Sequence, residues 1–440
     1  MNFKKLFELA KASGLEAIEI TSSTAKSTSV ELYHGEIESQ QIEEDTTTQV
    51  RGILNGKFGV ISTPKLETAH FKSIINDIKE NAAVIEKPEK AIIFKGSPKY
   101  RKRTFYNQRL VDTPIGEKIA KLYEIEKQLK DLDPRITEIM SVAYAESSFV
   151  TGINNSYGLK LSAKGAYYYY SAYIMVKEND EVKTGGEIFL SDDLEKFDIT
   201  DLVRKTAEDA LSKLGGTQCE SKKYPILLNP DSFAALLGAF IASTSSEEVQ
   251  RNSSALKDML NQEVASKIVT IEERPLVNNF NYRYFDDEGV ATYNKRIVDK
   301  GILKTFLYNL ETAAKEGRET TGNGYGKGGK VGIGYQNLYV KPGKKTKDQI
   351  ITTIKEGILI NELQGLHAGL DERSGDFSLQ TNGFLIKDGK IDRPLSLITV
   401  AGNLFQLMKD IRVLSKDNKL LLNGMELPYA LIKNLAVSGK

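Results

Sequence analysis

The chain has 440 residues, 40% apolar and 27% charged, with 60 Lys+Arg against 59 Asp+Glu and a formal net charge of +1. That length divides into about two to four ordinary domains, and the balanced charge argues against the basic excess on which nucleic-acid binding depends. The one cysteine, Cys219, excludes an internal disulfide and fits a reducing, cytoplasmic setting.

Phe3, Leu6, Phe7 and Ala10 lie on one face of a helix that ends near Ser13-Gly14, and no apolar core of a signal peptide follows. From Thr28 to Ile61 the pattern is that of strands, with turns at His34-Gly35 and Asn55-Gly56. Leu66, Phe71, Ile74, Ile75 and Ile78 mark an amphipathic helix. Lys87 to Thr113 is charged and proline-marked, and reads as a linker. A second helix carries Ile115, Ile119, Leu122, Ile125 and Leu129 and stops before Asp133-Pro134.

Arg135 to Leu190 reads as a long β region with turns at Asn154-Asn155 and Gly185-Gly186. Its Tyr167–Tyr170 run suits a strand with two rings on each face better than a platform for stacked bases. A helix from about Asp201 to Leu214 follows, then a short strand, Tyr224 to Leu228. The next helix starts near Asp231 as N-cap; its apolar run Phe233–Ala242 is about half a membrane span, so no membrane partner is expected. Short strands dominate the rest, broken by a helical stretch over Asn309 to Glu316, a glycine-rich loop from Thr321 to Gly334, and helices near Lys347–Lys355 and Phe405–Ile411. Arg373 to Leu404 has the form of two strands joined at Asp388-Gly389. Helices and strands do not alternate regularly, which points to an α+β fold. It comprises an N-terminal α/β region (1–112), a β-rich middle region (113–221) and a large β-sheet C-terminal region with peripheral helices (222–440).

The chemistry on offer is sparse. His34, His70 and His367 have no second histidine at helical spacing, so no pair can share a helix face toward one ion. The stretch Gly324 to Val331 nearly matches a P-loop, but Val331 stands where Ser or Thr would hold magnesium. Its G-x-G-x-x-G spacing has a helical stretch before it instead of a strand. There is no G-x-S-x-G elbow, and Cys219 lacks a nearby histidine. Asp286, Asp287 and Glu288 suit either a hard cation or a tight turn whose first carboxylate caps backbone N–H groups. Asp371, Glu372 and Asp376 form a second acidic group around Ser374-Gly375.

Five stretches stand in order along the second half of the chain: Phe285-Asp286-Asp287-Glu288-Gly289 with Gly301-Ile302-Leu303, Thr321-Gly322-Asn323-Gly324, Ser374-Gly375-Asp376-Phe377-Ser378, Gly383-Phe384 with Asp388-Gly389, and Thr399-Val400-Ala401-Gly402-Asn403-Leu404. Together they resemble the TldD/TldE family, also called the PmbA or modulator of gyrase family, and order and spacing agree over about Tyr224 to Ile411.

The resemblance implies a metallopeptidase fold in which TldD members bind a catalytic metal through a His-Glu-x-x-x-His helix and a later cysteine, and TldE members lack those ligands. Here the matching helix, Ser232 to Phe240, has no histidine or glutamate, and no cysteine follows Asn403. The resemblance therefore implies a TldE/PmbA-like subunit with no catalytic residue, metal or cofactor of its own. It implies zinc in a TldD-like partner and an unfolded peptide as substrate. Ser374, Asp376, Ser378, Asn403 and His367 are the expected substrate- or partner-contacting residues. The alternatives are a self-sufficient hydrolase using His367 with Asp371 or Asp376, and a homodimeric binding protein without catalysis.

Overall fold

A computed structural model describes residues 3–85, 91–326 and 331–440. The first half of the chain forms, in order, α1 (Lys4–Ala12), β1 (Ala17–Tyr33), β2 (Glu36–Leu54), β3 (Lys57–Thr63), α2 (Phe71–Ala83), α3 (Gln108–Asp112), α4 (Ile115–Leu132), β4 (Ile136–Asn155), β5 (Lys160–Glu178), β6 (Glu181–Ser191) and α5 (Ile199–Leu211). All six strands lie in one antiparallel sheet, ordered β3-β2-β1-β4-β5-β6. The joining pair is β1 with β4, from Glu19↔Asn155 to Leu32↔Val142, so the strands of 1–112 and of 113–221 share a single sheet.

Helices pack on the sheet in two places, because strands of up to 20 residues are too long for one helical layer. Ile18, Ile20 and Val50 face α1 and α2 through Leu6, Phe71 and Ile78. Val30, Leu32, Val142 and Tyr144 face α4 and α5 through Leu122, Ile125, Leu202 and Val203. Two rings of the tyrosine run enter this second core: Tyr168 and Tyr170 are buried, and Tyr170 stacks on Phe197 at 4.1 Å. Tyr167, on the other face, stacks on Phe280 at 5.2 Å.

The second half contains β7 (Lys222–Leu228), α6 (Pro230–Ala242), α7 (Ser246–Gln250), β8 (Ile271–Glu273), β9 (Lys295–Asp299), β10 (Ile302–Leu303), α8 (Leu310–Lys315), β11 (Gly324–Tyr325), β12 (Gly332–Ile333), β13 (Leu338–Val340), α9 (Lys347–Ile351), β14 (Glu356–Gln364), α10 (Leu366–Gly369), β15 (Asp376–Lys387), β16 (Lys390–Asn403), α11 (Leu404–Lys409), β17 (Ile411–Leu420) and β18 (Glu426–Ser438). Five of these strands close a ring, β7-β14-β15-β16-β18 and back to β7. The closing contacts are Thr399↔Ser438 on one side of β18 and Val437↔Lys222 on the other. β7 is apolar on both faces: Ile226 and Leu228 join the main core, while Leu227 faces Ile350 and Ile354 beside α9. α6 lies in the main core against β7, β14 and β18, buried on almost every side.

The turns at His34-Gly35, Asn55-Gly56 and Asp388-Gly389 each place both central residues at φ between 48° and 79°, the geometry that suits the right-handed twist of the flanking strands. Gly185-Gly186 is not a turn. It lies inside β6 opposite Ile174 and Tyr173: α5 crosses too closely for a side chain at Gly185, Tyr173 and the Ala172 carbonyl of β5 leave no room for one at Gly186, and the chain turns instead at Asn179-Asp180. The N-cap of α6 is Asn229, whose Oδ1 accepts from Ser232 N at 2.8 Å; Asp231 lies in the first turn. Lys327 to Lys330 fall outside the described residues, so the P-loop-like stretch is not described in full. On either side of it stand the short paired strands β11 and β12. No described helix is long and apolar enough to cross a membrane.

Candidate functional site

Ser374, Asp376 and Asn403 meet at one end of the β15–β16 pair, where Asp376 is in register with Asn403. Asn403 Nδ2 donates to Ser374 O at 2.8 Å and to Asp376 Oδ1 at 2.9 Å. Its Oδ1 accepts from Phe405 N and Gln406 N, both at 3.1 Å, and so caps α11. Both amide hydrogens and both acceptor sites are thus engaged, and Asn403 holds backbone in place. Gly375 takes the left-handed conformation (φ +80°) that lets the loop turn against the Phe405 ring. Asp371 steadies the same loop: its Oδ1 accepts from Arg373 N and Ser374 N, which holds its pKa below the ordinary carboxylate value.

Ser378 stands exposed on β15 opposite Ala401. α10, which carries His367, packs against β15, and Gly369 touches the carbonyl of Ser378. The structure therefore brings all five expected residues to one end of the ring. His367 itself is exposed.

The loops reach α6 through an aromatic contact, the Phe240 ring lying 6.2 Å from the Phe405 ring. These are the two places, the helix and the segment past Asn403, at which the family resemblance puts metal ligands. The side chains that meet there are hydrocarbon, with neither the nitrogen nor the thiolate that zinc requires. Among the described residues no group of three or more His, Cys, Asp or Glu is placed to hold a metal ion. The residues present do not fit a metal site.

A second polar cluster lies deep in the molecule, and the acidic run Asp286-Asp287-Glu288 is at its centre. Asp286 caps a tight turn: Oδ1 accepts from Glu288 N at 3.0 Å and Val290 N at 2.9 Å, and Oδ2 from Gly324 N at 2.9 Å. Of the two roles open to these acids, the structure shows the turn. Asp287 pairs with Arg283 and accepts from Gly326 N. Beside them, Glu273 accepts from Asn323 Nδ2 at 2.9 Å and from Gln336 N at 2.8 Å, and pairs with buried Lys295. The Thr321–Gly324 and Phe285–Gly289 motifs are therefore two sides of one buried scaffold.

This scaffold is also the junction with the six-stranded sheet. Tyr284 and Phe285 pack on Ile153 and Leu161 of the sheet and on Leu159 in the β4–β5 turn, and Tyr284 Oη donates to Ser162 O at 2.5 Å. Glu288, buried, lies within electrostatic reach of the Arg51–Glu19 pair of β2 and β1. Burial pushes the pKa of both Asp286 and Glu288 above the usual range; the neighbouring charge of Asp287 adds to it at Asp286, and that of Asp286 at Glu288. Asp286 accepts three N–H bonds, which favour its ionised form, and Glu288 only that of Leu310, so burial raises Glu288 with less to oppose it. Sequence reasoning identified the acids but not this junction; the repeated Tyr and Phe at 282, 284 and 285 were the available signal.

Comparison with known proteins agrees with this geometry. Residues 221–439 match the PmbA/TldA metallopeptidase C-terminal domain, and residues 109–214 match the central domain of the same proteins. A metalloprotease PmbA homolog of Buchnera aphidicola is 27% identical over 390 residues, 87% of this chain and 84% of its own. A zinc metalloprotease TldD homolog of Saccharolobus solfataricus is 25% identical over 384 residues, 85% and 83% of the two chains. The crystal structure of TldE from Thermococcus kodakarensis superposes with a TM-score of 0.92 at 22% identity, covering 99% of this chain and 100% of that one. The domain matches span most of the chain, and the protein belongs to the PmbA/TldD metallopeptidase family.

Proposed function

We propose that this chain is the non-metal, TldE/PmbA-like subunit of a two-component metallopeptidase that processes unfolded peptides. The observation that carries this reading is α6: the helix that should bear the ligands carries Phe233, Leu236, Leu237 and Phe240, all buried in the main core. A TldD-like partner would bring the zinc, whose chemistry is activation of water for attack on the peptide carbonyl. This chain would help enclose the peptide, with Ser374, Asp376, Ser378 and His367 near the joint surface and Asn403 fixing the loops. An extended peptide must find partners for its backbone once water is removed, and strand edges and polar loops supply them.

The test is co-purification with a His-Glu-x-x-x-His relative from the same genome, followed by digestion of an unfolded peptide and metal analysis of each preparation. Cleavage is expected only when both chains are present, with stoichiometric zinc held by the relative. Zinc-dependent cleavage by this chain alone, lost in His367→Ala, would overturn the proposal in favour of a self-sufficient hydrolase.

A further inference from the structure

β2 is a 19-residue strand, but its outer neighbour β3 has only 7 residues and pairs with Thr48–Leu54 alone. Glu36 to Thr47 therefore borders β1 on one side and no strand on the other. Twelve residues of edge extend about 40 Å. The other exposed margins of this sheet are blunted. Asn81 of α2 donates to Val60 O of β3 at 3.0 Å. Lys213 and Asp209 meet Thr184 O and Gly186 N of β6 at 3.0 and 3.1 Å. Where β5 runs past the end of β6, Phe105 bridges to Gly165. Among the described residues, no side chain from outside the sheet hydrogen-bonds to the backbone of Glu36–Thr47.

The chemistry of this edge is one-sided. It carries Glu36, Glu38, Glu43, Glu44 and Asp45, with no lysine, arginine or proline. None of the five forms an ion pair among the described residues, and Lys26, opposite Glu44, is the one base facing them from the paired stretch of β1. Ile37 and Ile42 are 41% and 63% exposed on the same strand. Addition of a second copy is disfavoured: antiparallel pairing centred on Gln41-Ile42 would set Glu38 against Asp45, like charge on like. An extended basic chain meets the opposite case, with open backbone groups, two apolar contacts and complementary charge.

We propose that Glu36–Thr47 is a docking edge that takes up an extended, lysine- or arginine-bearing segment of an unfolded polypeptide substrate as an added strand. The idea rests on the peptide-handling role proposed above and gives it a substrate chemistry and a place.

The probe is a fluorescent 12-residue peptide alternating lysine with threonine and valine, titrated into the full chain by anisotropy. Two controls accompany it: the same peptide with glutamate for lysine, and one with alternate backbone amides methylated. The basic peptide is expected to bind, the acidic one not, and methylation to abolish binding. The triple variant Glu38→Lys, Glu43→Lys, Glu44→Lys is expected to weaken the basic peptide by about tenfold or more and to bind the acidic one. Hydrogen exchange of the unaltered protein supplies a second readout, with protection expected at residues 36–47 when the basic peptide is added. Absence of binding, equal binding of the methylated peptide, or protection elsewhere but not at this edge would overturn the docking site. Partner-dependent proteolysis that persists in any of those cases leaves the subunit role standing.

Discussion

Asn403 shows how much one side chain can fix. Its four hydrogen bonds join the loop before β15 to the start of α11. Asn403→Ala removes a helix cap and a loop clamp together, and is expected to cost about 1–2 kcal/mol in urea unfolding. A loss below the error of the measurement would show that the loop holds without it. The sequence made Ser374, Asp376 and Asn403 legible as a group, through small polar residues at the ends of a hairpin. It could not show that Asn403 is fully engaged, because register across the hairpin decides which amide faces which carbonyl, and the bulges near Thr381 and Leu385 shift that register.

At the scale of elements, α6 is the informative case. A helix apolar on every face belongs in a core, and Phe240 is fully buried there between the strands and Phe405. Phe240→Ala is expected to destabilise by about 3–5 kcal/mol, read by calorimetry or denaturant unfolding; a near-neutral result would mean that the neighbours collapse into the space. The helices with a clear apolar stripe, the tyrosine strand and the Asp388-Gly389 hairpin could all be read from periodicity and turn chemistry. Ala17 to Ser27 was not, since its run of Ser and Thr lacks the alternation that marks a strand; it becomes one by pairing along its length with β2 and β4. Gly185-Gly186 reads as a turn for the reason that glycine usually does, yet Gly185 is small to admit the backbone of α5 at Ala210, and Gly186 to admit Tyr173 of the neighbouring strand.

For the molecule as a whole, the joint between the six-stranded sheet and the strand ring sets a pH dependence. Burial raises the pKa of Glu288 above the unfolded value. At low pH both states are protonated and nothing is lost. As pH rises past about 4 the unfolded carboxyl ionises first, and native stability drains until the folded group ionises too. Glu288→Gln keeps an acceptor for Leu310 N and removes the titration. Its melting temperature relative to the unaltered protein is expected to rise steadily from about pH 5 to about pH 8; a difference independent of pH would place the proton elsewhere. The charged segment from 87 to 113 reads as a linker, yet the strands on either side of it share a sheet. Composition reports what a segment exposes, and says nothing of the β1–β4 pairing made around it.

Closure of the ring by β18 has a consequence for biosynthesis. β7 cannot meet that strand until about 200 more residues have been made, roughly 10–40 s of translation at 5–20 residues per second. β14, the parallel neighbour of β7, is made before the interval ends, but until β18 follows it the apolar stretch Tyr224–Leu228 stays open on its other side. The six-stranded sheet, complete by Ser191, can form on the ribosome well before. Assembly is thus vectorial, and the half that carries the family motifs is the one that needs protection from aggregation while it waits.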